Sequence, residues 1–540
     1  MTKELNIIAV DLTPVLPGGE NGGAKIFVLE LLRYLAKMHP ETQFVLLTQA
    51  ASHKELALLD QLNVRRLMVV GSSHVRQSAM WMPRILNRLV DRFSRLVQRV
   101  SKKVGLTNHS TFLSDMQVDL LFCPFTAPTY FEPGIPTVCT LYDLQYKTYP
   151  SFFTAEDVAH RDRVFIDACR KASFMAAISD YSRQSVITYS KYEPERTCTI
   201  PIRIAQRIAA DINSNKAILT QLNLICQRYL IYPANFWQHK NHEMLLTAFG
   251  IARQMGLAKD IKLVCTGAPG ARQLFLKNAA ERMHLGDCIV FPGYLPETEL
   301  GTLMANSLAM VFPSLYEGFG MPIIEAMAAS IPVLCSNAAS LPEVAGNAAI
   351  QFDPRKPTQI AEATMIAVEN KNLRNQLIGA GLQRAAEFSD TGRMANEYWA
   401  LFQRAIIHVK HDNLLTGAYA DGWVGPSLKL HLAPTTEAKT LEIEFLLPQW
   451  LPAPCLTFQV IQGEKNQGEP LVFERGTTAK LSISVGLSGG RYQINITPTM
   501  VPAQTGQGAD QRELSAKLQR CNLTSADGNH EQLFPEKVDA

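Results

Sequence analysis

The chain has 540 residues, 47% hydrophobic and 19% charged, with a formal net charge of +3. That composition supplies several packed cores and excludes wholesale disorder, and the near-neutral balance gives no sign of a nucleic-acid partner. Gly 32 and Pro 30 exclude collagen-like and low-complexity classes. No apolar run reaches the about eighteen residues of a membrane-spanning helix.

The first two hundred residues alternate short apolar runs with helical patterns. Strands are predicted at 6–12, 44–48, 66–70, 119–123, 137–141 and 174–178, with a helix at 24–37. Strands alternating with helices predict a parallel, doubly wound sheet over residues 1–205. The segment 81–104 reads as one helix. At about 100° per residue, Arg84, Arg88, Arg92, Arg95, Arg99, Lys102 and Lys103 share one face beside a continuous apolar face. Only Asp91 opposes them. Such a helix suits an anionic membrane surface, and equally a surface helix docked by its apolar side.

Residues 204–226 read as a connector. A second α/β block, 224–388, has strands predicted at 229–232, 261–265, 289–291, 309–312 and 332–335, and a helical pattern at 241–254. Two such blocks imply a cleft, with ligands at the carboxyl ends of the strands. A helix over 389–411 is expected to cross back to the first block. From residue 412 to 525 the period changes to two, in 428–432, 441–445, 456–461, 480–485 and 491–496. An antiparallel β-sandwich is predicted there. The polar tail beyond Thr524 is expected to fray.

The ten cysteines are scattered with no C-x-x-C spacing, which reads as free thiols in a reducing compartment. The start, MTKELNIIAVDL, lacks the long apolar stretch of a signal peptide, so a cytoplasmic location is expected.

The most informative stretch is FPSLYEGFGMPIIEAMA, residues 312–328. It runs from a strand end through Gly318-Phe319-Gly320 into a helix. Pro322 suits the first turn, where a missing N–H costs nothing. The glycines admit a ligand close to the backbone, and free N–H groups at the helix start attract phosphate. Glu317 and Glu325 flank the loop. Carboxylates accept hydrogen bonds from sugar hydroxyls, so the pair suits a sugar nucleotide; a glycine turn with two solvated glutamates is the other reading.

The spacing Glu317-x₇-Glu325 resembles the E-x₇-E signature of the retaining GT-B glycosyltransferases called group 1, or family four. The flanking FPGYLPETEL (291–300) and PVLCSNAASLPEVAGNAA (332–349) are similar to the family as well. So is YPANFWQHKNH (232–242), which resembles its phosphate-lysine loop. Gly22-Gly23-Ala24 resembles its acceptor-side glycine loop, and Ala177-Ile178-Ser179-Asp180-Tyr181-Ser182-Arg183 its serine-containing strand end before a helix. The resemblance covers roughly residues 5–410.

It implies that Glu325 binds the nucleotide ribose and Glu317 the transferred sugar. Gly318, Phe319 and Gly320 would hold sugar and diphosphate through backbone N–H groups. Lys240 would neutralise the departing diphosphate in place of a metal, so no cofactor and no essential metal are expected. Asn235, Gly267, Tyr294 and Leu295 complete the implied donor-binding set. Gly22, Gly23, Tyr142 and Asp143 form the implied acceptor side, with Asp143 joining Lys240 and Glu317 as a catalytic candidate.

Three departures from the family pattern stand out. Asn235 occupies the place of a frequent arginine, Tyr142 stands where H-D-L has histidine, and Phe388-Ser389-Asp390 replaces F-S-W. His239 and His242 flank the lysine; either could reach phosphate, and a packed or solvated histidine is the plainer reading. Trp423 and Trp450 suit either sugar stacking or the sandwich core.

The expected protein is a GT-B enzyme moving a hexose from a nucleotide sugar to a glycan or lipid-linked acceptor, in bacterial surface polysaccharide synthesis. It is expected on the inner face of the membrane through residues 81–104, with oligomerisation open to the 412–525 module. A GT-B phosphorylase or epimerase, or a silent nucleotide-sugar-binding scaffold, is the alternative.

Overall fold

The computed structural model describes residues 5–18, 21–71, 112–208, 217–407, 413–419, 421–463, 465–502 and 512–534. The basic segment 81–104 lies outside them. The chain forms two compact units, residues 1–408 and 409–540.

The first unit holds two parallel sheets. In one, β1 (Ile7–Asp11), β2 (Gln43–Gln49), β3 (Val64–Val70), β4 (Leu120–Cys123), β5 (Thr137–Leu141), β6 (Phe174–Ala177) and β7 (Thr197–Thr199) lie in the order 3-2-1-4-5-6-7. The other has β8 (Tyr229–Pro233), β9 (Lys262–Thr266), β10 (Ile289–Gly293), β11 (Ala309–Phe312), β12 (Val333–Ser336) and β13 (Ala349–Phe352), in the order 10-9-8-11-12-13. The inner strands are buried on both faces, which is why each reads as an unbroken apolar run. Ile8 sits between Phe44 and Leu120, and Met310 between Ile231 and Val333.

Each sheet reverses its order beside its first strand. A crevice therefore opens between the loops after β1 and β4, and between those after β8 and β11. Helix Thr391–Ile407 returns to the first sheet. Tyr398 packs its ring 5.6 Å from Phe122 and shares a 3.1 Å hydrogen bond with Thr140, while Trp399 stacks on His39 at 3.5 Å.

The second unit pairs two antiparallel sheets. One orders β14 (Leu414–Ala418), β15 (Val424–Leu432), β21 (Gly490–Thr497), β17 (Cys455–Gln462) and β18 (Lys465–Asn466), with β19 (Leu471–Glu474) on β17. The other orders β20 (Thr478–Val485), β16 (Lys439–Leu446), β22 (Lys517–Ser525) and β23 (His530–Phe534). Leu428, Leu430, Phe458 and Ile494 of the first sheet and Leu441, Ile443, Phe445 and Leu523 of the second share one core. Trp423 lies against that core with Trp450 5.5 Å away, so the two rings meet each other across 27 residues of sequence.

The expectation of a frayed tail beyond Thr524 is overturned. β23 pairs with β22, Leu523 opposite Glu531, and Leu533 and Phe534 pack against the core. The turn at Asp527-Gly528, with Gly528 at φ +84°, folds the polar-looking tail back.

Candidate active site

Strand β11 ends at Phe312, and the chain loops through Glu317 to Gly320 before helix Met321–Ala328. Ser340 ties that loop down, its hydroxyl donating to the carbonyls of Glu317 (2.9 Å) and Phe319 (3.0 Å). Gly320 adopts φ +104°, and a Cβ there would lie 2.6 Å from Leu341. Phe319 is buried, edge-on to Phe388.

Lys240 arrives from the neighbouring strand. After β8, the short turn Gln238–Lys240 ends at Asn241 in the left-handed region, φ +62°. The Asn241 amide donates to the carbonyls of Pro313 (3.1 Å) and Pro354 (2.8 Å), and the Tyr232 hydroxyl donates to the Lys240 carbonyl at 2.8 Å. Leu315 N–H donates to the His239 carbonyl at 2.8 Å. These bonds lock the lysine turn onto the loop that carries Glu317.

The result is an ion pair, Lys240 Nζ 2.6 Å from Glu317 Oε1, with side chains 12% and 13% exposed. Burial, the largest single influence, would push the Glu317 carboxyl up, but the charge and hydrogen bond of Lys240 together with His239 and Ser314 outweigh it and hold the carboxyl below its usual range. His239 is pushed down to about 4 and His242 to about 3, both mainly by burial, so both are neutral near pH 7. His242 is packed between Tyr232 and Phe236, its ring nitrogens without hydrogen bonds. It is a packing residue.

Other predicted donor-side residues serve loop geometry. Asn235 Oδ1 accepts from Ala268 N–H at 2.9 Å, which shapes the turn after β9. Gly267 allows that turn, since a Cβ would fall 2.6 Å from the Ala234 carbonyl. Leu295 packs against the core, while Tyr294 is exposed.

The acceptor-side candidates meet the same loop. A Cβ on Gly23 would touch Met321 Sδ at 2.9 Å, so the glycine start of helix Gly22–Met38 abuts the donor helix. A Cβ on Gly318 would lie 2.3 Å from the Tyr142 carbonyl and 3.2 Å from Asp143 Cβ. Asp143 is partly shielded beside it, accepts from Gln145 N–H at 2.9 Å, and has its carboxyl raised by burial. The buried Tyr142 hydroxyl has no hydrogen-bond partner; its ring stands edge-on to Phe27.

Contacts that sequence reasoning did not name hold the two domains together. Ser182 Oγ donates to the Tyr142 carbonyl at 2.7 Å and lies 3.3 Å from the Gly318 carbonyl. The Glu343 carboxylate accepts from the N–H groups of Asp180 (2.7 Å) and Tyr181 (3.0 Å) at the start of helix Asp180–Tyr189. Carboxylates are favoured at such N-termini. Glu325 stands apart from the Lys240 pair. It is 4% exposed and bonded to Arg207 Nε at 2.8 Å, and Arg207 also pairs with Glu297. The structure thus brings Lys240, Glu317, Gly318, Gly320 and Asp143 to one place and sets Glu325 on the buried side of the helix Met321–Ala328 that follows the loop.

Among the described residues, no cluster of histidine, cysteine, aspartate and glutamate is placed to hold a metal ion, and no helix is long and apolar enough to cross a membrane.

Residues 225–384 match the family model described as glycosyl transferases group 1. The O-antigen chain mannosyltransferase B of Escherichia coli is 29% identical over 253 residues, 47% of this chain and 66% of that protein. The serotype-specific mannosyltransferase WbdA of Escherichia coli is 27% identical over 275 residues, 48% of this chain and 33% of that protein. The chain thus spans 66% or less of the length of these curated relatives. The crystal structure of Anabaena Alr3699/HepE in complex with UDP and glucose superposes with TM-score 0.54 at 16% identity, over 74% of this chain and 100% of that one. That of WaaG, a glycosyltransferase involved in lipopolysaccharide biosynthesis, gives 0.50 at 16%, over 75% and 100%. Residues 225–384 thus match the group 1 glycosyl transferases, within the two-domain GT-B fold that these solved structures share.

Proposed function

We propose that this protein is a glycosyltransferase that moves a hexose from a nucleotide sugar to a glycan or lipid-linked glycan, with retention, in bacterial surface polysaccharide synthesis. The observation that carries the reading is the Lys240–Glu317 pair beside Gly318–Gly320. On donor binding the pair exchanges partners. Lys240 turns to the diphosphate, where charge accumulates as the bond to the sugar breaks, and Glu317 turns to the sugar hydroxyls. The loop N–H groups hold the diphosphate at the helix start. Lys240 supplies the positive charge, so no metal is required, and Asp143 faces the reacting sugar from the acceptor side.

The names of the curated relatives make a mannosyl donor the first to test. A saturating donor stabilises the fold by about 2.7 kcal/mol at a hundred times Kd, so a thermal-shift series of nucleotide sugars identifies it. Proton NMR of the product then reads the anomeric configuration. A series in which no nucleotide sugar raises the melting temperature overturns the reading.

The two glutamates divide the work. Glu325→Ala is expected to weaken binding of the free nucleoside diphosphate, whereas Glu317→Ala impairs transfer more than it weakens that binding. Calorimetry with the diphosphate separates them, and equal affinity losses would refute the division.

The sequence pattern of residues 81–104 supports a peripheral site on the inner membrane face, where the acceptor is lipid-linked. Each basic residue near an anionic surface adds about 1 kcal/mol. Co-sedimentation with anionic vesicles is expected to fall sharply in an Arg88→Glu, Arg92→Glu, Arg95→Glu variant, and with added salt. Equal binding by that variant removes the membrane role.

A further inference from the structure

The carboxylate assigned to the ribose is held by a residue from outside its own domain block. Arg207 lies in the short turn Ala205–Arg207, on the connector between the two parallel-sheet domains. Its Nε donates to Glu325 Oε1 at 2.8 Å, and its Nη1 engages Glu297 at the start of helix Glu297–Ala305. The Arg207 side chain is 18% exposed and that of Glu325 4%. The turn is itself anchored. Ala205 N–H donates to the Phe388 carbonyl at 3.0 Å, and Arg203, two residues earlier, reaches the Glu387 carbonyl and the Glu397 carboxylate. The guanidinium is therefore held in place at both ends.

We propose that Arg207 is a positioning residue for the donor: it holds the Glu325 carboxylate aimed, ready to accept from the ribose hydroxyls, and Glu297 fixes the guanidinium from its other side. This rests on the reading of Glu325 as the ribose ligand. A carboxylate accepts charge-assisted hydrogen bonds, about twice as strong as those of a neutral acid. Burial holds the Glu325 carboxyl above its usual range, and Arg207 opposes that push without cancelling it. The nearby charges on Glu325 are Arg207 and Glu297. Strands β11 and β12, which pack against its helix, carry no charged residue. Glu343 and Arg384 on neighbouring helices point elsewhere, Glu343 to Asp180 and Tyr181, Arg384 to the Val344 carbonyl. Arg207 is thus the cation that opposes burial at Glu325.

The sign follows. Ribose binding needs the carboxylate, so affinity falls as pH drops through the Glu325 pKa. Removing Arg207 leaves burial unopposed, which moves that fall to higher pH. A midpoint moved by about one pH unit changes affinity about tenfold at a pH below both midpoints.

The test is calorimetry of the full chain with ADP, CDP, GDP and UDP and with inorganic diphosphate, from acid to mildly alkaline pH. Wild type, Arg207→Ala, Arg207→Lys, Glu297→Gln and Glu325→Ala are compared, with thermal unfolding to verify folding. For the tightest nucleoside diphosphate, Arg207→Ala is expected to displace the midpoint to a pH higher by about one and to weaken binding by about tenfold at a pH below both midpoints. Arg207→Lys keeps a cation and restores most of the midpoint while losing part of the affinity. Inorganic diphosphate, which has no ribose, binds all variants alike. An Arg207→Ala protein with wild-type affinity and pH midpoint, in a series where Glu325→Ala loses the nucleoside diphosphate, overturns the positioning role alone. Wild-type binding by Glu325→Ala, or no binding of any of the four by the wild type, overturns the ribose reading and the proposal with it.

Discussion

Lys240→Ala is expected to lower sugar transfer by about a hundredfold or more, the usual effect of deleting one group that stabilises transition-state charge. The structure adds a second consequence. Lys240 and Glu317 are 2.6 Å apart and nearly buried, so the variant leaves Glu317 without its cation. Breaking a buried pair by removing one partner costs about 3–5 kcal/mol. The pH dependence identifies the cause. In the wild type the Glu317 carboxyl is held below its usual value, so its contribution to stability is present above the unfolded-state pKa and fades as pH falls through the lower native one. In Lys240→Ala only His239 and Ser314 still oppose burial, the native pKa is expected to rise above the unfolded one, and the variant gains stability as pH falls toward acid. Adding Glu317→Gln removes the stranded charge. The double variant is expected to recover most of the lost melting temperature and none of the lost transfer. A single variant that turns over like wild type would take Lys240 out of the site, and a double variant no more stable than the single would refute the account of the pair.

The inner strands and the glycine loop were legible in the sequence for one reason. Parallel strands buried on both faces read as short apolar runs, and the loop sits where such a run meets a helix. What was missed has local causes too. β7, Thr197–Thr199, is three residues with two threonines, and β13, Ala349–Phe352, is an edge strand with one glutamine; neither forms an apolar run. β22 has an irregular register beside Glu444–Phe445, so Leu518 and Cys521 both face inward three residues apart and the alternation is lost. Arg207 left no trace at all. Its bond to Glu325 joins residues 118 apart, and an isolated arginine in a connector has no pattern to read. The same holds for Glu343, which caps a helix of the other domain from 163 residues away. Asn235 shows the converse: its place in the lysine loop was legible, but its role of shaping the Gly267–Ala268 turn needed coordinates.

The remaining large effect is expected at Gly318. Its φ lies in the ordinary range, so an alanine there meets no backbone strain; the obstacle is space. The added Cβ would stand 2.3 Å from the Tyr142 carbonyl oxygen and 3.0 Å from its carbon, closer than real contacts allow, and both are backbone. Neither side yields easily. The Tyr142 carbonyl accepts from Ser182 Oγ, and the Gly318 segment is tied by Ser340 to the carbonyls of Glu317 and Phe319. The clash is therefore relieved by separating the two domains at this point, which moves Asp143 away from Glu317. A misplacement of about 1 Å is enough to cost a hundredfold in rate. The nucleotide half of the site, Lys240 and Glu325, lies in the second parallel-sheet domain with Gly318 itself, so it moves with the loop when the domains part. Gly318→Ala is thus expected to lose transfer by about a hundredfold while binding the nucleoside diphosphate nearly as wild type does. Serine at 318 fails in the same way, since any Cβ meets the same carbonyl. Kinetics with saturating donor, alongside calorimetry, read both quantities on one preparation. Wild-type turnover by Gly318→Ala would show that the approach of Tyr142 and Gly318 is not part of the working site.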